Sequence, residues 1–198
     1  HPATFRRLPE SVEYLSALGA RHLYLNPDFS ATWTEADCGE LGAVLEEIAG
    51  FYRAKIEEGD PHFVSVIDAK IGTLLRGGYS PEERCQMGGY EMAFAPDGRI
   101  YPCERLLGYH DEAFYCIGDL EEGLVLSRMR RHLAPEQAER QNPCTTCDLR
   151  QFCVNWCGCS NVFQTGCFNR TGPFLCAFER ASVRVAAEVL EAMNRKYG

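Results

Sequence analysis

The stretch Cys144-Thr145-Thr146-Cys147-Asp148-Leu149-Arg150-Gln151-Phe152-Cys153-Val154-Asn155-Trp156-Cys157 decides how the chain is read. Its four cysteines stand at spacings x2, x5 and x3. A Cys-x2-Cys turn lets two thiolates reach one metal centre, and the thiolate is the ligand form. Zinc ribbons pair two such knuckles across a longer loop. Here the second knuckle is missing. A ladder stretched to x5 and x3 suits a larger inorganic core, and all-Cys ligation is the norm for four-iron clusters. Structural zinc and buried unligated cysteines are the competing readings.

Upstream of the ladder stands Cys85-x12-Gly98-x4-Cys103, and downstream a lone Cys176. Ten of the 11 cysteines fall between Cys85 and Cys176, with only Cys38 outside. The odd count, with no basic segment leading into an apolar one at the N-terminus, speaks against a secreted disulfide scaffold. Thiolates bound to metal in a reducing cytosol are the better account. Eight ligands would serve two clusters.

With these residues in place, the pattern resembles the SPASM domain, the C-terminal extension of many radical S-adenosylmethionine enzymes. It matches C-x9–15-G-x4-C, C-x2-C-x5-C-x3-C and a final C at every named position, over roughly residues 80–185. The resemblance implies that Cys85, Cys103 and Cys157 bind a first auxiliary 4Fe-4S cluster. It implies that Cys144, Cys147, Cys153 and Cys176 bind a second. Such interleaving has a precedent in two-cluster ferredoxins. For the fourth ligand of the first cluster Cys116 is the first choice, with Cys159 and Cys167 as alternatives. Some family members leave that iron open for substrate.

The same resemblance frames the chemistry. The family holds its catalytic cluster with C-x3-C-x2-C, and that triplet does not occur here. The chain alone therefore does not cleave S-adenosylmethionine by the family mechanism. It is expected to be the C-terminal part of the enzyme, or one piece of a split chain. S-adenosylmethionine and a third 4Fe-4S cluster would belong to the N-terminal part. Glu104 is the candidate catalytic residue, because sulfatase-maturing relatives carry an Asp there that is proposed as a base; pairing with Arg105 is the structural alternative. Cys103-Glu104-Arg105-Leu106 followed by Gly108 looks more like the peptide-maturing members. The implied function is modification of a ribosomally made peptide or protein, for example by thioether or other crosslink formation. The implied partners are that substrate, the enzyme's own N-terminal part, and an electron donor such as flavodoxin or ferredoxin. The alternatives are an anaerobic sulfatase-maturase-like enzyme, an iron–sulfur electron-transfer or docking module without its own catalysis, and a zinc-structured interaction domain.

The rest of the chain is consistent with a globular enzyme fragment. Of 198 residues 45% are hydrophobic and 24% charged, with a net charge of −8. That acidity argues against a nonspecific nucleic-acid binder. No apolar run approaches the roughly 18 residues that span a bilayer, and a cytoplasmic protein is expected. Residues 9–18 read as a short helix closed by Gly19, and His22 to Asn26 as a strand stopped by Pro27. Leu41, Val44, Leu45, Ile48, Tyr52 and Ile56 recur at helical spacing between Glu35 and Glu58. His62 to Asp68 is a β-rich run. Helix, strand, helix, strand implies a parallel sheet with crossover helices. Two such units are a fragment of an α/β barrel or open sheet, so the chain is expected to begin inside a larger protein.

Further on, Tyr90 to Ala95 and Arg99 to Cys103 form a predicted β-hairpin about Pro96-Asp97-Gly98. Tyr109 to Ile117 reads as a strand and Glu121 to Leu133 as a helix. Residues 142–172 show little periodicity, and Leu175 to Tyr197 makes a long amphipathic helix. The expected fold class is α/β. The C-terminal strands and helices of a partial (β/α) barrel occupy residues 1–78. A small Cys-rich α+β SPASM domain, with a β-hairpin and a long C-terminal helix, occupies residues 79–198. His110 and His132 are expected at the surface or as caps, and Arg128, Arg130 and Arg131 as a solvated cluster.

Overall fold

A computed structural model describes residues 1–108, 112–132 and 143–197. In chain order the first elements are α1 (Leu8–Ala17), β1 (His22–Leu23), α2 (Glu35–Glu57), β2 (Phe63–Val64) and α3 (Ser65–Leu75). Then come β3 (Ala93–Phe94), β4 (Arg99–Tyr101), α4 (Glu112–Tyr115), β5 (Gly118–Asp119), β6 (Gly123–Leu124) and α5 (Leu126–Arg130). The described chain ends with α6 (Gly158–Thr165) and α7 (Pro173–Tyr197). The chain divides into two units. One holds His1–Tyr79, Asp148–Cys153 and Pro173–Gly198; the other holds Ser80–Cys147 and Val154–Gly172.

The first unit is organised by apolar burial. Thr34 starts α2 with a capping box: its Oγ1 accepts from the Asp37 amide at 3.1 Å, while Asp37 Oδ2 accepts from the Thr34 amide at 3.0 Å. The helical spacing then puts Leu41, Val44, Leu45, Ile48 and Tyr52 on one buried face. That face packs against α7, whose Phe174, Val185 and Val189 are buried in the same core. Strands β1 and β2 pair in parallel, His22 opposite Phe63 and Leu23 opposite Val64, with α2 inside the crossover that a parallel pair requires. The β-rich run after His62 contributes only two strand residues before α3 begins. Asp68 explains the switch: its Oδ2 accepts from the Val64 amide at 2.6 Å and its Oδ1 from the Tyr52 hydroxyl at 2.8 Å. The carboxylate thus satisfies a helix-start amide that a longer strand would have paired.

The second unit is built from short strands and turns. Its four-stranded antiparallel sheet runs β3-β4-β5-β6. The expected hairpin is present, with Ala93 opposite Tyr101 and Phe94 opposite Ile100. Gly98 sits in its turn at φ 86°, a left-handed conformation that glycine adopts without steric cost. Two sequence expectations fail here. Of the strand expected over Tyr109 to Ile117, residues 109–111 lie outside the described residues, Glu112–Tyr115 is helical, and pairing begins only at Gly118. The helix expected from Glu121 to Leu133 is split into β6 and α5, with residue 133 outside the described residues. The Asp119 carboxylate accepts from the amides of Glu121 at 2.9 Å and Glu122 at 2.7 Å, which closes a turn before any helix can start. Gly118 lies so close to the Gly123 carbonyl that no side chain would fit between them.

Residues 143–172 are also more ordered than their composition implies. Pro143–Thr146 and Arg150–Phe152 form 3-10 turns, and α6 buries Cys159 and Val162 against Leu106 and Phe168. Apart from these elements, the expected α/β class, hairpin and long terminal helix are the ones observed. No described helix is long and apolar enough to cross a membrane.

Candidate metal centre

The second unit brings thiols together at the start of α6. Cys157 is the residue before the helix, and its carbonyl accepts the Asn161 amide at 3.1 Å. The Cys157 sulfur lies 3.2 Å from Ser160 Oγ and 3.6 Å from the Cys159 sulfur. Cys103, delivered just after β4, belongs to the same buried apolar group as Cys159. Cys103 and Cys159 are both buried. Hydrogen bonding to Cys159, with help from Ser160 and the positive charge of Arg105, holds the Cys157 thiol down at about 6 against its burial. Cys103 is lowered by the same Cys159 partner. Cys159 is pushed strongly up, first by Cys103, then by Cys157 and burial.

Cys85 lies on the same unit. Its thiol donates to Glu91 Oε2 at 3.1 Å. Burial first, and that carboxylate second, push it up to about 12, with the Cys157 charge acting in the same direction. Cys116 is placed elsewhere in the unit. It donates to the Gly118 carbonyl at 3.1 Å and packs in an apolar group with Ala95 and Tyr101. Glu104 contacts the neighbouring Cys103 sulfur at 3.5 Å. Cys167 is half-buried and its amide donates to Thr165 Oγ1 at 3.2 Å.

The remaining ladder cysteines fall in both units. In the second unit the Cys147 amide reaches the Cys144 carbonyl at 3.4 Å, closing the x2 turn, and Cys144 contacts Thr171 Oγ1 at 3.5 Å. In the first unit Cys153 follows the 3-10 turn Arg150–Phe152, and Cys176 lies in the first turn of α7. A buried lysine, which sequence reading missed, links these two positions. Lys70 Nζ donates to the Phe152 carbonyl at 3.0 Å and to Glu179 Oε2 at 2.7 Å. The signal was present: Lys70 shares the face of α3 that carries Val66, Ile67 and Thr73, all buried. Cys38, on α2, packs at the edge of the first unit's core.

His132 is the clearest error of the sequence reading. It is 1% exposed, stacks on Tyr115, lies tilted against Phe168, and bonds through Nε2 to the Phe114 carbonyl at 3.0 Å. Its ring fills an aromatic gap, which an isolated histidine in a sequence does not announce. His110 lies outside the described residues. In the arginine cluster, Arg128 pairs with Glu122 at 2.9 Å, and Arg131 bonds the Phe114 carbonyl and lies 4.9 Å over the Phe114 ring.

Among the described residues no three His, Cys, Asp or Glu side chains already surround a single-ion position. The donor set at α6 nonetheless fits a thiolate-bound group in its chemistry: soft sulfur donors, with Cys157 and Cys103 both lowered, beside apolar walls. Loading would require the sulfurs now bonded to one another to turn towards the metal.

No family model and no curated protein matches the sequence. Solved structures do match its fold. Over 98% of this chain it superposes on hexahistidine-tagged anSMEcpe with bound AdoMet, with TM-score 0.61, 13% identity and 53% of that chain covered. Native anSMEcpe with bound AdoMet gives TM-score 0.62, 14% identity and 55% coverage of that chain. Native anSMEcpe with bound AdoMet and the Kp18Cys peptide gives 0.58, 14% and 56%. At these identities the likeness establishes the fold. The chain spans little more than half the length of the structures it matches.

Proposed function

We propose that the chain is the C-terminal part of a radical S-adenosylmethionine enzyme with a SPASM domain, acting on a peptide or protein. The observation that carries this reading is the complete seven-cysteine ladder on a chain with the fold of part of anSMEcpe. Residues 1–78 are the barrel part in this reading, and residues 79–198 the auxiliary-cluster part. Cys85, Cys103 and Cys157 would hold the first cluster, and Cys144, Cys147, Cys153 and Cys176 are proposed for the second on sequence alone. Two peptide complexes among the matching structures support a peptide substrate. They also favour a second reading, a sulfatase-maturase-like enzyme, over the crosslinking maturase to which the residues after Cys103 point. A flavodoxin or ferredoxin donor and a cytoplasmic setting complete the proposal.

Clusters bound at these thiolates supply one-electron chemistry or an iron site for substrate. The chain's own residues set the conditions. The Cys157 thiol is lowered by its Cys159 and Ser160 partners, with the Arg105 charge acting in the same direction. Leu106, Val162 and Phe168 exclude water around Cys103 and Cys159. Glu104, bonded to the Cys103 sulfur, places a carboxylate beside the first site, where a proton could be accepted.

Metal and sulfide analysis of anaerobically prepared protein tests the reading. Two cubanes require about eight irons and matching acid-labile sulfide per chain. Stoichiometric zinc without labile sulfide overturns it in favour of a structural zinc domain.

A further inference from the structure

We propose that Cys159 supplies the fourth thiolate of the site proposed for Cys85, Cys103 and Cys157, and that Cys116 is a packing residue. This rests on the iron–sulfur reading above and deepens it. Cys159 is the thiol that neighbours both: its sulfur is 3.6 Å from that of Cys157, and it packs beside buried Cys103. All three belong to one apolar group with Leu106, Val162 and Phe168. The link between Cys157 and Cys159 is fixed by backbone. Cys157 precedes α6, Cys159 is its second residue, and Gly158 between them packs so tightly on Met87 that a side chain there would strike its sulfur.

The other donors are worse placed. Cys116 packs with Ala95 and Tyr101 in a different apolar group, and its thiol is engaged by the Gly118 carbonyl at 3.1 Å. Joining the site would break that bond. Glu91 reaches Cys85 at 3.1 Å, yet it is exposed, and a carboxylate oxygen is a harder donor than soft iron–sulfur cores prefer. Cys167 has its amide tied to Thr165 in the loop after α6.

The test uses the whole chain, reconstituted anaerobically with iron and sulfide. Cys159→Ser is compared with Cys116→Ser, Glu91→Gln and the parent. The readouts are iron and labile sulfide per chain, and the electron paramagnetic resonance spectrum of the reduced protein with and without added cyanide, which binds an iron lacking a protein ligand. Cys159→Ser is expected to lose about half of the iron, as one of two four-iron clusters, or to gain a cyanide-sensitive signal. Cys116→Ser and Glu91→Gln are expected to match the parent. Loss of iron or a cyanide-sensitive signal in Cys116→Ser, with Cys159→Ser matching the parent, overturns the proposal. So does a cyanide-sensitive parent, which would mean three protein thiolates. Circular dichroism of the apo proteins separates loss of fold from loss of ligand. If apo Cys159→Ser does not fold, the parent and Cys116→Ser decide: cyanide-insensitive spectra in both support Cys159, and a sensitive spectrum in either refutes it. A parent without labile sulfide overturns the iron–sulfur reading itself, an outcome distinct from the rest.

Discussion

The two units of the chain hold their shape by different means. In the first, α2 and α7 bury a continuous face of Leu41, Val44, Leu45, Ile48, Val185 and Val189. In the second, strands are two or three residues long, and the apolar groups are small and built partly of Cys103, Cys116 and Cys159. Apolar burial at roughly 25 cal/mol per Å² can sustain the first arrangement. The second has smaller apolar groups, and a thiolate-bound group, as proposed, would make binding energy into folding energy. The contrast teaches that the two units bury apolar side chains on different scales.

The largest effect expected is therefore from metal removal. Hydrogen exchange of anaerobically loaded and chelated protein should show amides of Ser80–Gly108 and Val154–Gly172 losing protection, while α2 and α7 keep theirs. Equal protection of both units in the two states would break the contrast, because it would mean that the second unit folds on its apolar groups alone.

The next effect falls inside the first unit and sharpens the contrast. Lys70 and Glu179 form a buried ion pair at 2.7 Å, with side chains 7% and 5% exposed. Removing one partner of such a pair costs about 3–5 kcal/mol, because the other is left charged and buried. Lys70→Met should lower the urea stability of the protein by that order, and Lys70→Met with Glu179→Leu should recover most of it. Lys70 also holds the Phe152 carbonyl beside Cys153, so the single variant should bind less iron than the parent. Full stability and full iron in Lys70→Met would show that the pair is dispensable.

What could be read from sequence follows the same division. Helices α2 and α7 announce themselves because apolar burial imposes a 3.6-residue period over many turns. The hairpin is legible because Pro96-Asp97-Gly98 has one local solution. The ladder is legible because the proposed thiolate ligation would restrict both residue type and spacing. What was missed is set by tertiary partners without a sequence period. Asp119 capping its own turn, Asp68 converting a strand into α3, and His132 filling an aromatic gap each depend on one contact. Cys159 was visible only as an alternative, since the ladder spacing does not distinguish a ligand from a buried thiol two residues away.

A smaller effect tests how the first unit starts its main helix. Thr34 caps α2 through its hydroxyl and amide, and Asp37 completes the box. Thr34→Ala should cost about 1 kcal/mol, the usual value of a cap. It should leave iron content unchanged. A loss of iron in this variant would show that the stability of α2 bears on iron binding.

The smallest and most local prediction concerns His132 in the second unit. Burial holds its imidazole below the ordinary value of 6.5; the nearby Arg131 charge acts the same way, and the bond to the Phe114 carbonyl opposes them. The folded protein therefore keeps the ring neutral at a pH where the unfolded chain already binds a proton. The stability that this ring contributes is fully present above about 6.5 and is lost as pH falls from there through the lower folded value. The loaded parent should unfold at lower urea at pH 5.5 than at pH 7.5. Loaded His132→Gln, which keeps a donor for the Phe114 carbonyl without a titrating ring, should show a smaller difference between the two pH values. Cluster acid lability acts on both proteins, so the difference between them isolates the histidine. Parallel pH profiles for parent and variant would mean that the ring titrates as it does in water, and that the aromatic packing around it does not exclude solvent.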